Sequence, residues 1–248
     1  MASATDQEGT YPPLDVLKPV TEGVWIVDSG PLHVFGLTLP IRMTVLRLSG
    51  SDLWLHSPTR FTAELRAQLE QHGRIAHLIA PDVAHWSFLP DWQNNCPNTL
   101  TWVAPGLQER RQVQKANVKI DHILSEAPPP QWAGELEQII VRGLGFSEVD
   151  FFHHPSRTLV MTDLIQNLET ERLPAITRIM ARLNGIAAPH GRAPIYLRLV
   201  VKANRREAAQ AAARLVERRP ERVIFSHGRW FERDGTEALR RSLDWLLG

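Results

Sequence analysis

Val149-Asp150-Phe151-Phe152-His153-His154-Pro155-Ser156-Arg157-Thr158-Leu159-Val160-Met161-Thr162-Asp163 holds two short apolar runs, Val149–His153 and Thr158–Thr162, joined by the turn His154-Pro155-Ser156-Arg157. Just upstream, Leu136–Arg142 has the same strand character. Three strands with such short connections predict an antiparallel meander. Further upstream the pattern changes. Val24–Asp28, Arg42–Leu48 and Leu53–Leu55 read as strands, the last two separated by Ser49-Gly50-Ser51. Phe61–His72 has helical spacing at Phe61, Leu65 and Leu69, with Thr62 near its start and Gly73 after its end. Ile75–Ile79 reads as a buried strand, so this stretch predicts a βαβ unit.

Leu100–Val103 adds a strand, and Asp121–Pro130 reads as a Pro-rich loop. Leu173–Leu183 and the Ala-rich Arg205–Arg218 predict helices. Tyr196–Val201 fits either a strand or a helix, with helix preferred. Arg222–Phe225 is a short strand. Thr236–Leu247 is a closing amphipathic helix with Leu239, Leu243, Leu246 and Leu247 on one side. A single doubly wound sheet does not accommodate the meander. An α/β fold of two facing sheets with helices outside does. Residues 1–13 are expected as a mobile tail and 14–248 as one domain.

Composition narrows the function classes. The chain has 248 residues, 28 Lys and Arg against 27 Asp and Glu, and one cysteine. A net charge of +1 gives no electrostatic case for nucleic acid or an anionic membrane as the main partner. A lone Cys96 excludes an intrachain disulfide and a thiolate-built zinc site. The polar start reads as no secretory signal, and no apolar run is long enough to span a bilayer, so a cytoplasmic location is expected.

Chemistry can gather where strands end. His85 follows the run to Ile79, Asp163 ends Thr158–Thr162, and His227 ends Val223–Ser226. His56 ends Leu53–Leu55. Two imidazoles and a carboxylate suit one divalent metal ion (Zn²⁺, Fe²⁺ or Mn²⁺) with open positions for water. Each residue also has a plainer reading as a turn or loop residue, with no metal at all. Trp25, Trp54 and Trp102 are expected in the core, and Trp86 and Trp92 as pocket walls or, the slightly favoured reading, as helix packing. At most one of His153 and His154 can face any site, because neighbours on a strand point oppositely. The Arg-rich stretch Arg205–Arg222 reads as a solvated helix face, and Asn184–Gly191 as a lid or a connector.

Met161-Thr162-Asp163 and Ser226-His227-Gly228, in that order after Pro81-Asp82-Val83-Ala84-His85-Trp86, resemble the metallo-β-lactamase superfamily. There, one loop carries H-x-H-x-D-H, a later strand ends in T-G-D, and the last ends in G-H-G. Laid on that loop, Pro81 and Val83 stand where the first two histidines would, His85 on the aspartate and Trp86 on the last histidine. The histidine expected near Gly143 or Leu144 is absent. Almost the whole chain resembles one branch, domain of unknown function 4336. The shared stretches include Leu17-Lys18-Pro19, Leu53-Trp54-Leu55-His56-Ser57-Pro58, Pro129-Pro130-Gln131-Trp132-Ala133-Gly134-Glu135, Pro155-Ser156-Arg157-Thr158-Leu159 and Thr162-Asp163-Leu164. In that branch a second histidine often follows the one at His85; here it is Trp86.

The resemblance implies an αββα sandwich and at most one metal, held by His85, Asp163 and His227. His56 would support the site from behind or act as a fourth ligand. The activity implied is metal-dependent hydrolysis. The alternatives are a non-catalytic fold that binds a small molecule or protein partner, and a mononuclear iron redox protein.

Overall fold

A computed structural model describes residues 9–34 and 37–248. The first sheet contains β1 (Lys18–Thr21), β2 (Val24–Val34), β3 (Leu37–Arg47), β4 (Asp52–His56), β5 (Arg74–Ala80), β6 (Leu100–Val103) and β7 (His122–Ile123), in that spatial order. β1 to β4 pair antiparallel and β4 to β7 parallel. The second sheet has β8 (Leu136–Gly143), β9 (Phe146–His153), β10 (Thr158–Val160) and β12 (Arg222–Ile224) in the order β12-β10-β9-β8. Its β8-β9-β10 part is the expected meander, and β12 joins β10 in parallel. A two-stranded ladder of β11 (Gln166–Asn167) and β13 (His227–Gly228) lies beyond it.

Period-two alternation builds three cores. Val24, Ile26, Leu46, Trp54 and Ile79 of the first sheet meet Ile140, Val149, Phe151, Val160 and Ile224 of the second. Their neighbours Trp25, Val27, Val45, Leu53 and Leu78 face the other way. They pack under α1 (Ala63–Glu70), α2 (Leu89–Asn95) and α3 (Arg111–Lys115) through Leu65, Leu69, Trp92 and Val113. The outer face of the second sheet is covered through Leu197, Val201, Ala208, Leu215, Leu239 and Leu246. These belong to α5 (Ile195–Lys202), α6 (Arg205–Glu217), α7 (Gly235–Ser242) and α8 (Asp244–Leu247). α4 (Ala175–Asn184) packs beside β3, where the Thr177 hydroxyl accepts the Thr38 N–H at 3.1 Å. Helix, sheet, sheet, helix is the expected αββα sandwich.

Several expectations are corrected. The expected tail falls partly on residues 1–8, outside the described residues. Gly9 onward is docked: its N–H donates to the Arg172 carbonyl at 2.7 Å, and the Tyr11 ring lies under the guanidinium groups of Arg42 and Arg172. The closing helix is two helices, because Leu243 departs from helical backbone at φ −102° and ψ 9°. Leu247 is consequently partly exposed while Leu239, Leu243 and Leu246 are buried. β7 lies inside the segment expected to be only loop.

Candidate metal centre

The loops after β5 and β10 and the strand β13 meet at one end of the sandwich. His85 comes from the first, Asp163 from the second, and His227 from the third. Gly228 lets the third element fit. It has φ +93°, and a Cβ there would stand 2.1 Å from the Asn167 carbonyl oxygen, so only glycine allows β13 to pair with β11. That pairing sets Gln166 opposite His227.

The three side chains converge. His227 Nε2 is 3.2 Å from Asp163 Oδ1, His85 Nε2 is 3.5 Å from the same oxygen, and the two Nε2 atoms are 3.3 Å apart. Among the described residues this is the group that brings three metal-competent side chains together. The far ring nitrogens are anchored. His227 Nδ1 donates to the Pro40 carbonyl at 2.8 Å, because a carbonyl can only accept. Its Nε2 lone pair therefore faces the group. His85 Nδ1 lies 2.6 Å from Ser57 Oγ. Ser57 is held at φ +52°, a left-handed conformation unusual outside glycine, in the turn that brings its hydroxyl to the ring. Gln166 Nε2 donates to Asp163 Oδ1 at 3.0 Å.

The donor geometry fits a metal ion. Ligand atoms held about 2.0–2.2 Å from a tetrahedral ion stand roughly 3.3–3.5 Å from one another. Two imidazole nitrogens and a carboxylate oxygen at 3.2, 3.3 and 3.5 Å form such a face.

Acidic residues surround this triangle. Asp82 Oδ1 accepts the N–H groups of Ala84 and His85 at 2.7 and 2.9 Å, shaping the loop that presents His85. Its Oδ2 is buried without a hydrogen-bond partner, 3.9 Å from His85 Nε2. Glu148 accepts the N–H groups of Thr162, Asp163 and Leu164 at 2.7, 2.9 and 3.1 Å. Asp150 lies two residues along the same strand face. Burial pushes Asp150 up to about 8 and Glu148 well above the usual carboxylate range, the latter reinforced by Asp150, Asp82 and Asp163. Burial also raises Asp82. At Asp163 burial acts in the same direction, but the facing imidazoles outweigh it and hold the carboxyl well below its usual range. Burial disfavours a charged His85, yet Asp82 and Asp163 push it up to about 9. Burial thus favours the protonated forms of Asp82, Glu148 and Asp150, and the negative charge of the site is concentrated on Asp163, between the imidazoles.

The other expected residues sit differently. His56 is fully buried, stacked on Trp54 at 5.5 Å and edge-on to Phe151, with Nε2 unpartnered. Burial, aided by His85, holds it neutral. It lies outside the converging group. Trp86 lines the cleft above the triangle. Trp92 does not: it is buried on the inner face of α2, its indole N–H donating to the Thr59 carbonyl at 2.7 Å, which is the packing alternative. His153 and His154 are far from the triangle in the fold, His153 bonded to Ser156 and His154 exposed on the turn. Sequence reasoning passed over Asp82, Glu148, Gln166 and Ser57. A usable signal existed for Glu148: two acids at alternate positions in an otherwise apolar strand, Phe146–His153.

The cleft has a volume of about 710 Å³. Its walls are mainly apolar, including Leu39, Ile41, Phe88, Phe146 and Leu197, with the triangle among the lining. Midway along β3, buried Arg42 bonds the Phe225 and Gly228 carbonyls at 3.0 and 2.7 Å and Asp28 at 2.6 Å.

The comparison with curated proteins returns no match. Solved structures of similar shape include a metallo-β-lactamase from Pontibacter korlensis, 13% identical with a TM-score of 0.61 over 93% of this chain and 97% of that one. The mono-zinc form of the metallo-β-lactamase FIM-1 from Pseudomonas aeruginosa is 15% identical, TM-score 0.59, over 93% and 94%. A metallo-β-lactamase from Hirschia baltica is 16% identical, TM-score 0.58, over 93% and 96%. At such identity these show the fold alone. Residues 21–188 match the family described as Domain of unknown function (DUF4336). That is more than half the sequence, so the chain belongs to the DUF4336 family, on a metallo-β-lactamase-like fold.

Proposed function

We propose that this protein is a metal-dependent hydrolase with a single mononuclear centre, held by His85, Asp163 and His227. The observation that carries the reading is the triangle of donor atoms, sized for one ion, in the lining of a mainly apolar cleft. A divalent ion in such a site supplies Lewis acidity that activates water at neutral pH for attack on an ester, amide or phosphoester. The chain's own groups do the rest. The Pro40 carbonyl and Ser57 fix the two imidazoles in orientation. Gln166 holds the Asp163 carboxylate, while Glu148 fixes the backbone on both sides of it. The buried, unpartnered Asp82 Oδ2 is the nearby group able to take a proton from a nucleophile. Pro81 and Val83 offer no second ligand set, which limits the site to one ion.

Metal analysis of protein purified without added metal tests this. The expected result is close to one Zn, Fe or Mn per chain, lost in the double variant Asp163→Ala, His227→Ala with folding retained by circular dichroism. Protein that carries no metal and shows no thermal shift with any of the three ions would instead leave a binding protein on a metallo-β-lactamase-like fold.

A further inference from the structure

We propose that the outward face formed by α4 and α5 seats the protein on an anionic lipid bilayer surface. α4 is turned inside out relative to an ordinary surface helix. It buries Thr177 and Ala181 and exposes Ile176, Ile179, Met180 and Leu183. Those four positions follow i, i+3, i+4, i+7 and so form one stripe along the helix. α5 buries Leu197 and Val201 and exposes Ile195, Tyr196 and Leu199. The helices adjoin where the Arg198 guanidinium donates to the Asn184 carbonyl at the end of α4. Leu144, 75% exposed, lies beside α5, its N–H bonded to the Val200 carbonyl. Among the described residues, eight of the ten exposed large hydrophobic side chains lie on α4, on α5 or at Leu144 beside α5, and two of these, Leu144 and Tyr196, also line the cleft. Soluble proteins seldom expose so concentrated an apolar patch without a use for it.

Charge selects the occupant. From Leu173 to Arg206 the chain carries seven Lys and Arg (Arg178, Arg182, Arg192, Arg198, Lys202, Arg205 and Arg206) and no Asp or Glu, although its totals nearly cancel. The overall charge of +1 hides this asymmetry. Arg192 is paired with Asp244, but Arg182, Lys202 and Arg206 have no carboxylate partner among the described residues. Large apolar side chains interleaved with cations, on helices docked through their opposite faces, match the interfacial zone of a bilayer with anionic headgroups. A second copy fits poorly, because symmetric pairing would set this cationic face against itself. Residues 1–8 contribute one large apolar side chain, Met1, too little to cover the stripe. The attachment is interfacial: no helix among the described residues is long and apolar enough to cross a membrane.

The face also borders the cleft. Tyr196, Leu197 and Val200 of α5 and Leu144 line its wall, and Thr177 of α4 bonds Thr38 beside the lining residue Leu39. None of this depends on the metal reading, so the two stand or fall separately.

Co-sedimentation of the full chain with phosphatidylcholine vesicles, with and without 30% phosphatidylglycerol, tests the proposal. Binding is expected only with the anionic vesicles, weakened at high salt. Arg182→Gln with Lys202→Gln should lower the partition coefficient about thirtyfold, and Ile179→Asp with Leu183→Asp should abolish binding while leaving the melting temperature close to wild type. A wild-type protein that stays in the supernatant at low salt overturns the proposal. So does binding unaffected by the apolar pair, which would mean electrostatic adsorption alone. A dimer in sedimentation equilibrium that the Ile179→Asp, Leu183→Asp variant converts to monomer, without vesicle binding, assigns the face to self-association and equally overturns it.

Discussion

Glu148 satisfies three buried backbone N–H groups with one side chain, and those donors belong to the turn that carries Asp163. Glu148→Ala would leave all three without an acceptor in a place water does not reach. Each such donor costs about 1–3 kcal/mol, so the three together set a loss of roughly 3–9 kcal/mol in denaturant unfolding. Relief of crowding with Asp82 and Asp150 offsets part of this, and a loss below about 1 kcal/mol would show that crowding dominates. At this scale the sequence reveals the side chains that end apolar strands: His85, Asp163 and His227. It conceals their supports. The partners of Glu148 and Asp82 are main-chain amides, which no residue pattern encodes. His56 ends a strand just as His85 follows one, yet its ring turns inward onto Trp54 and Phe151.

Among the elements, α1 has the clearest local signal. Thr62 sits at its N-terminus in extended backbone, and its hydroxyl accepts the Leu65 N–H at 3.0 Å. Thr62→Ala should lower stability by about 1 kcal/mol, read from the denaturant midpoint, and Thr62→Ser should restore most of it. An unchanged midpoint in Thr62→Ala would mean that packing of Leu65 and Leu69 alone holds the helix. The strands with alternating or continuous apolar runs are legible for the same reason: burial imposes the period. α2 and α3 escape notice because each is short and amphipathic over barely two turns, and β1 and β7 because an edge strand of two to four residues needs no apolar code. β2 and β3 extend well past their apolar cores, since hairpin pairing continues where burial ends.

For the molecule as a whole, two buried histidines weigh against stability on the acid side. Burial lowers His77 to about 4, and its Nδ1 accepts the Trp102 indole N–H at 3.2 Å, a bond only the neutral ring can receive. Unfolded, the ring titrates near 6.5. Between these values the unfolded chain binds more protons, so the stability His77 contributes is complete above about 6.5 and is lost as pH falls toward 4. His153, lowered to about 4, acts likewise, whereas Asp150, pushed up to about 8, tilts the same range the other way. The diagnostic is therefore a difference. Midpoints followed from pH 7 down to about 4 should fall less steeply in His77→Gln than in wild type, and parallel curves would refute the assignment.

One long-range connection also ties the cleft wall to the His227 imidazole. Leu32 and Leu39, paired across the β2–β3 hairpin, line the cleft, and the next residues of β3 grip the segment around β13, the Pro40 carbonyl accepting from His227 and Arg42 donating to the carbonyls of Phe225 and Gly228. Cleft wall and imidazole support thus stand side by side on β3, at Leu39 and Pro40. A substitution that shifts Leu39 therefore pulls on the carbonyl that sets the ring, so the shape of the wall and the orientation of His227 are geared together.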